Sequence, residues 1–374
     1  MPSSHSGRPL APASLLTAVP GLLGFIPDRS LILIAFGDDT RTVRTAMRHD
    51  LVLDDAGELV PTLRTVLTEL AEVCARNDVR AVVLVIADNR YPSGDDRYRR
   101  VCALADRRFV DLGGIAAGFV VPEFVDGARW QTVWGPRPSR IGASFDHSSL
   151  TPIAGTAPTR GRLGDPHTSP TAVHRAVHSG RRVLARRADM EEMLKSLPHC
   201  AGPHRDPSDR ADLAATGDGA LLRAVVGQVV AIAAPGGRAE PPVLDCATVT
   251  MLGVALTRLR VRDALLAFAV TDHRHAAETL WRDLARRLTG TPKASAATLL
   301  AHLHYINSEG GYAGVALDCA LTADPVWSLA RLLDSALRAG LPPDSLKGMI
   351  DDCYDVAQEL GVPLPAPTIE REVG

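Results

Sequence analysis

The spacing of the apolar residues changes near residue 205, and this change constrains the fold more than any other feature. Before it, residues 31–36 (LILIAF) and 80–87 (RAVVLVIA) form runs that are almost entirely apolar. Such runs are typical of strands that are buried on both faces. After it, apolar residues recur at helical spacing between breaks that contain Pro and Gly. The sequence therefore predicts an α/β domain followed by an all-α domain.

The N-terminal pattern predicts a mixed, partly parallel sheet with flanking helices. Helical spacing separates several of the predicted strands, and a helical crossover joins strands that run parallel. The predicted strands are residues 31–36, 41–53, 80–87, 115–122 and 128–135. The predicted helices are residues 59–76, 95–111 and 170–178, with a short helix and a turn before residue 31.

From residue 207 onward the pattern predicts helices throughout. They are residues 211–232, 244–259, 263–268, 275–288, 294–306, 312–321, 327–339 and 344–360. Residues 294–338 resemble a tetratricopeptide-type helix pair followed by a third helix. Because a superhelix needs several such repeats, we favour a local helical hairpin within a compact bundle.

Length and charge suggest how the chain is divided. Its 374 residues exceed what one hydrophobic core usually supports. Residues 126–187 contain ten arginines and three aspartates, a net charge of +7, whereas residues 344–374 contain seven acidic and two basic residues, a net charge of −5. We predict five segments: a disordered tail (1–9), the α/β domain (10–135), a basic excursion with a helix (136–205), the helical domain (206–345) and an acidic helix and tail (346–374).

The sequence favours a cytoplasmic protein that does not bind membranes. No apolar run reaches the roughly 18 residues needed to span a bilayer. Prolines and glycines interrupt residues 10–26, and no plausible signal-peptide cleavage site follows. The six cysteines form no C-x-x-C pair, so we expect reduced, buried thiols.

Short motifs that identify common enzymes are missing from the sequence. There is no P-loop, dinucleotide-binding glycine motif, nucleophile elbow, zincin motif or kinase motif set. Only Lys195, Lys293 and Lys347 are lysines among the 41 basic residues. None of them follows a glycine-rich loop, which disfavours a phosphate-binding lysine. The sequence does not identify a cofactor.

Two groups of histidines are weak candidates for a metal site. His174 and His178 share a helix face at i, i+4, but no third ligand is near them in the sequence. His199, Cys200 and His204 lie in a Pro/Gly linker without the paired spacing of zinc fingers. We therefore predict no metal site and favour solvated side chains.

Several segments resemble the actinobacterial domain of unknown function 4192 family. They are LLTAVPGLLGFIPDRSLILIAF, GARWQTVWG, GDPHTSPTAVHRAVHSGRRVLARR, RLRVRDALL and LTADPVWSLARLLDSALRAGLPP. The resemblance covers about residues 10–345 and implies an actinobacterial source, which agrees with the excess of Arg over Lys. Many members have cysteines after the central Trp strand, where this chain has Gly135-Pro136-Arg137, so their metal or redox role is not implied here. The resemblance implies no established activity.

Our leading hypothesis is a non-catalytic module that binds a protein or a small ligand at the domain junction, with its oligomeric state left open. The residues proposed for this role are Pro20, Gly24, Phe25, Pro27, Asp28, Ser30, Arg129, Trp130, Ser169, Arg260 and Asp263. A tight turn and core packing are the alternative role for residues 20–30. An i, i+3 pair on a helix is the alternative for Arg260 and Asp263.

The first alternative function is a hydrolase or a nucleotide-using enzyme. Asp38 and Asp88 follow predicted strands, and ligands of open α/β sheets bind outside the carboxyl ends of the strands. Carboxylates there can bind a metal or act as an acid or base. Because Asp also initiates turns, and no second carboxylate pair can be placed beside these residues, we favour the turn role.

The second alternative is binding of nucleic acid or another polyanion by residues 126–187. Guanidinium groups bind phosphate, and Trp130 and Trp134 at the start of the segment suit base stacking. Arg is the common cation throughout the chain, however, and no nucleic-acid fold signature is present. A solvated loop, or pairing with the acidic helical half, is therefore favoured over nucleic acid.

Overall fold

The computed structural model describes residues 11–37, 43–54, 60–135, 159–197, 215–234 and 244–368. The chain divides into two compact units, Met1–Arg187 and Ala188–Gly374. The first unit contains a mixed sheet with flanking helices and the second is helical, which confirms the predicted fold class. Among the described residues, none of the helices is long and apolar enough to cross a membrane.

The described strands of the first unit form one mixed sheet. They are β1 (Ser30–Phe36), β2 (Val43–Asp50), β3 (Ala81–Ala87), β4 (Ala117–Val121), β5 (Arg129–Trp134) and β6 (Arg160–Arg162). Their order is β2-β1-β3-β4-β5-β6, with β3 and β4 parallel and the other neighbours antiparallel. Every residue of β1 and β3 is buried, as their apolar runs predict.

Two helices cover one face of this sheet. The helices of the first unit are α1 (Pro12–Leu23), α2 (Pro61–Arg76), α3 (Asp96–Arg108) and α4 (Pro170–Ser179). Leu63 and Leu67 of α2 and Val101 of α3 join Leu31 and Leu33 of β1 in one hydrophobic cluster. Because α3 is the crossover between β3 and β4, these strands run parallel and their carboxyl ends lie at one edge of the sheet.

The helices α1 and α4 approach each other closely at Gly21. A Cβ atom at Gly21 would lie 2.2 Å from Thr171 Oγ1 and 2.5 Å from the backbone nitrogen of Ala172. The Nε of Arg175 donates to the Gly21 carbonyl over 3.0 Å. Glycine is therefore required at this position by the close approach of another backbone.

The second unit is a helical bundle built around one buried helix. Its helices are α5 (Arg187–Glu192), α6 (Asp218–Ala233), α7 (Cys246–Thr257), α8 (Leu259–Leu265), α9 (Arg274–Arg287), α10 (Gly290–Ile306), α11 (Gly310–Ala323), α12 (Ser328–Arg338), α13 (Asp344–Lys347) and α14 (Ile350–Glu359). Every residue of α10 from Ala294 to Ile306 is buried. It packs against α7, α9, α11 and α12. The predicted hairpin is the pair α10 and α11, which three residues connect.

The predictions were wrong at two helix boundaries of the second unit and for the oxidation state of one cysteine. Residues 344–360 form two helices, α13 and α14, that are separated at Gly348. Residues 263–268 belong to the end of α8 and to a 3₁₀ helix, Leu266–Val270. Cys74, Cys102, Cys319 and Cys353 are free, but Cys246 is disulfide-bonded, so the expectation of reduced thiols is wrong at Cys246.

We expect Gly21→Ala to lower the free energy of unfolding by about 2 kcal/mol, because the backbone at Ala172 cannot move away from the new methyl group. The matched control is Gly227→Ala in α6, where a Cβ would meet open space. This control should raise helix stability by about 0.5–1 kcal/mol. Urea unfolding followed by circular dichroism measures both. Equal effects of the two substitutions would contradict the close packing of α1 and α4.

Candidate functional site

One edge of the sheet brings together several residues that the sequence singles out. Ser30 begins β1 and pairs with Asp50 at the end of β2 and with Ala87 at the end of β3. Asp88 follows Ala87 directly, so Ser30 and Asp88 lie at the same edge. The amide of Asn89 donates to Glu123 Oε1 over 3.4 Å, which links this edge to the residues that follow β4.

Ser30 is fully buried and its hydroxyl is occupied by neighbouring groups. It donates to the carbonyl of Asp28 over 2.6 Å and accepts from Arg48 Nε over 2.8 Å. Arg48 also pairs with Asp50, and its guanidinium lies 6.0 Å from the ring centroid of Phe25. These contacts fix the turn before β1, so the hydroxyl is held in a structural role.

Asp88 is the best-placed acidic residue of this edge, and it is fully buried. Its Oδ1 accepts from Arg90 Nε over 2.8 Å, and its Oδ2 accepts from the Tyr98 hydroxyl over 3.1 Å. Arg90 also donates to the Leu51 carbonyl over 2.9 Å. The carboxylate therefore joins the end of β3 to α3 and to the residues that follow β2.

The charges in this cluster stabilise one another. The hydrogen bond to Asp88 raises the pKa of Arg90. Burial raises the pKa of Tyr98, and the nearby Asp88 carboxylate raises it further, so the phenol stays protonated and donates. Both oxygens of Asp88 are engaged, and a general base here would have to break these bonds first. Asp38, the other predicted strand-end acid, lies outside the described residues.

We expect Asp88→Ala to lower the free energy of unfolding by about 3 kcal/mol, because it leaves the Arg90 guanidinium without its partner. Tyr98→Phe removes only one hydrogen bond and should cost about 1 kcal/mol. The exposed acid Asp96, which lies 3.7 Å from Arg99, provides a control: Asp96→Ala should cost under about 0.5 kcal/mol. Chemical denaturation measures all three. An Asp88→Ala protein with unchanged stability would contradict the structural role.

The family-like segment 20–30 contains the C-terminal cap of α1 and a β-bridge to Leu184. Gly24 ends α1 in the left-handed conformation at φ 88°, and its N–H donates to the Pro20 carbonyl over 2.8 Å. Phe25 is buried and forms a β-bridge with Leu184. Pro27 is buried as well, whereas Asp28 is exposed. Gly24 and Phe25 thus contribute to the local fold by ending α1 and by pairing with Leu184.

Ser169 is the N-cap of α4 and is buried. Its hydroxyl donates to the Pro166 carbonyl over 2.8 Å and accepts from the Ala172 N–H over 3.3 Å. This is the usual role of a serine that precedes a helix-starting proline.

Arg129 and Trp130 lie on opposite faces of β5. Trp130 is buried, packs edge-on against Phe119 with ring centroids 5.7 Å apart, and contacts Gly161 closely. Arg129 is exposed and pairs directly with Arg162 of β6. Like charges in directly opposed positions are destabilising, so core packing does not account for this pair.

Arg260 and Asp263 do not pair with each other on α8. Arg260 pairs with Glu359 of α14, and Asp263 accepts from Arg262 Nε over 2.8 Å. Arg262 is buried and its guanidinium lies 5.3 Å from the ring centroid of Trp327. The i, i+3 alternative is therefore wrong, because each residue has a different partner.

The predicted histidine clusters do not form a metal centre within the described residues. His174 and His178 are exposed and their ring centroids are 4.0 Å apart. No group of three or more possible ligands occurs in the part of the chain that the structure describes. His199, Cys200 and His204 lie outside the described residues.

A cavity of about 460 Å³ lies in the helical unit between α5, α10 and α11. Its mostly apolar wall includes Leu194, Val315 and Cys319, and charged side chains at the wall are Glu191, Lys293 and Asp318. The Nζ of Lys293 donates to Ser196 Oγ over 2.8 Å. Burial raises the pKa of the Cys319 thiol, although the Lys293 ammonium opposes this shift. The thiol is therefore neutral near pH 7.

Sequence reasoning missed this cavity, because its walls come from helices about 100 residues apart in the chain. Lys293 was the one local signal, since it is one of only three lysines. A volume of this size falls within the range of small-molecule sites, which are mostly apolar and contain a few polar groups.

Two buried histidines of α10 lie within the bundle. His304 Nδ1 lies 2.7 Å from Glu309 Oε2, and its ring lies 5.3 Å from that of Tyr312. His302 is 1% exposed, and its Nε2 has no hydrogen-bond partner among the described residues. Burial lowers the pKa of His302 from 6.5 to about 4, so it is neutral at physiological pH.

We expect the bundle to lose stability as the pH falls from 6.5 to about 4. In this window the unfolded chain binds a proton at His302 and the folded chain does not, which costs up to about 1.4 kcal/mol per pH unit. His302→Leu should remove this part of the pH dependence. His275→Leu, at an exposed position, is the control and should keep it. Thermal unfolding between pH 7.5 and 4 gives the comparison, and identical pH slopes for the wild type and His302→Leu would contradict the prediction.

These features define a protein with an α/β unit and a helical unit, in which the family-like residues of the first unit mainly hold the chain together. A family model, described as a domain of unknown function (DUF4192), matches residues 12–344. The chain therefore belongs to the DUF4192 family. Neither a comparison with curated proteins nor one with solved structures gives a match.

Proposed function

We propose that this protein is a non-catalytic module that binds a small organic molecule in the cavity of its helical unit. The observation that carries the proposal is the cavity itself, with about 460 Å³ of space between α5, α10 and α11. Such a volume accommodates a ligand with an apolar body and one or two polar groups. The proposal also takes the protein to be cytoplasmic, because no signal-peptide pattern is found in the sequence; the disulfide at Cys246 is evidence against this part of the proposal.

The chemistry of the walls indicates how a ligand would be oriented. Leu194 and Val315 offer apolar contact, and Cys319 adds a neutral, polarisable thiol. Lys293, in the first turn of α10, supplies the positive charge of the wall. Because Glu191 and Asp318 also line the wall, a ligand with an aromatic or aliphatic body and one anionic group would match this arrangement only with its anion at Lys293.

The arrangement around Asp88 supports a binding role more than catalysis. A hydrolase at this sheet edge would need a carboxylate that is free to accept a proton or bind a metal. Asp88 is held instead by Arg90 and Tyr98. The enzyme hypothesis at this residue therefore has less support than the cavity.

The test uses the fluorescent probe 1-anilinonaphthalene-8-sulfonate, which has an apolar body and one anion. We expect one molecule to bind per chain. Ala323→Trp should lower the affinity about tenfold or more, because the new ring fills the cavity at its wall. Leu332→Trp is the matched control at an exposed position of α12 in the same unit, and it should bind like the wild type.

A second variant tests the orientation of the probe. Lys293→Gln should weaken binding of the sulfonate and leave binding of an uncharged naphthalene analogue almost unchanged. Binding to Ala323→Trp as tight as to the wild type would overturn the assignment of the cavity. Native mass spectrometry of the protein purified from its own host would then report the mass of any natural ligand and the number of subunits.

A further inference from the structure

The outer strands of the sheet carry a cluster of arginines on one face. Arg129 of β5 pairs with Arg162 of β6, and Gln131 pairs with Arg160. Because paired residues lie on the same face and every second residue of a strand shares a face, these four side chains form one surface. We call Arg129, Arg160 and Arg162, with Gln131, the β5–β6 arginine surface. All three of its arginines are exposed.

Packing on the opposite face of β5 and β6 fixes the backbone that carries the arginines. Trp130 is buried there against Phe119, and a Cβ at Gly161 would lie 2.8 Å from the Trp130 ring. The close approach of this ring to β6 fixes the pairing of the two strands. Arg162 also donates from Nη1 to the Gly127 carbonyl over 2.8 Å. The arginines therefore project from a fixed backbone.

The charges of this surface are not balanced within the part of the chain that the structure describes. None of the described ion pairs includes Arg129, Arg160 or Arg162. Arg129 and Arg162 are directly opposed, an arrangement that is destabilising for like charges. Elsewhere in the same unit, Arg48, Arg90 and Arg97 each have an aspartate partner. An anion bound to the β5–β6 arginine surface would relieve this repulsion.

The spacing of the arginines indicates which anion fits. Arg160 and Arg162 are two residues apart on one strand, which places their Cα atoms about 7 Å apart along a straight line. This separation suits successive phosphates of an extended nucleic-acid strand. Guanidinium groups bind phosphate oxygens through two hydrogen bonds, and Gln131 adds a neutral donor and acceptor on the same face.

We propose that the β5–β6 arginine surface binds single-stranded nucleic acid through its phosphates. The surface lies in residues 126–187, whose net charge of +7 attracts polyanions over a longer range. This site belongs to the α/β unit and is separate from the ligand cavity of the helical unit. Binding at one site can therefore fail in its test while binding at the other site is found.

The experiment measures binding of a fluorescein-labelled oligodeoxythymidylate of about thirty nucleotides to the full chain by fluorescence anisotropy. The test variant is R129Q/R160Q/R162Q, which keeps the size and polarity of the side chains. We expect its affinity to be at least about tenfold lower than that of the wild type, with a salt dependence that is shallower by about two in the log–log slope. The charge-retaining variant R129K/R160K/R162K should bind more tightly than the glutamine variant.

The control is R64Q/R76Q, which removes two exposed arginines of α2 that are in the same unit and are not part of the β5–β6 arginine surface. It should bind like the wild type, and circular dichroism should show that all variants are folded. Equal affinities of the wild type and the triple glutamine variant, or no binding by the wild type, would overturn the proposal. Tighter binding of a duplex of the same length, or binding of heparin alone, would overturn the assignment to single strands.

Discussion

The strand β1 (Ser30–Phe36) and the helix α10 (Gly290–Ile306) have almost no polar face, and each must therefore be covered on all sides. β1 satisfies its backbone groups by pairing with β2 on one edge and β3 on the other. α10 satisfies its backbone internally and packs against α7, α9, α11 and α12. The rest of each unit is arranged around the burial of one such element.

Polar groups that lie within these cores are satisfied or neutral. Asp88 pairs with Arg90, which has the opposite charge, and Asp106 accepts a hydrogen bond from the Ile115 N–H. His302 has no hydrogen-bond partner for its Nε2 among the residues that the structure describes, and burial keeps it neutral by lowering its pKa to about 4. Both outcomes reflect the cost of an unbalanced charge away from water. The buried polar groups named here thus contribute to the stability of the fold.

Many of the residues proposed for ligand binding make structural contacts within the first unit. Gly24 ends α1, Phe25 bridges to Leu184, Ser169 caps α4 and Trp130 packs on Phe119. Family-like motifs in this chain therefore mark the places where elements meet closely. Of the two surfaces on which our proposals rest, the cavity beside Lys293 uses none of these contacts. The β5–β6 arginine surface is held in place by the packing of Trp130 on the opposite face of its strands.

The sequence by itself determined which segments are helices or strands and their order in the chain. The spacing of apolar residues and the Pro and Gly breaks are local properties, and both can be read without the tertiary structure. The sequence predicted β1, β3 and α10 closely, and it indicated that Asp88 lies at a strand end. Only the tertiary structure decided what these residues meet. The antiparallel pairing of β1 with β3 placed Ser30 beside Asp88, and the tertiary structure brought Glu191 and Leu194 to the same cavity as residues of α10 and α11. These contacts join residues that are far apart in the chain, and the local pattern of a sequence does not show which distant residues meet.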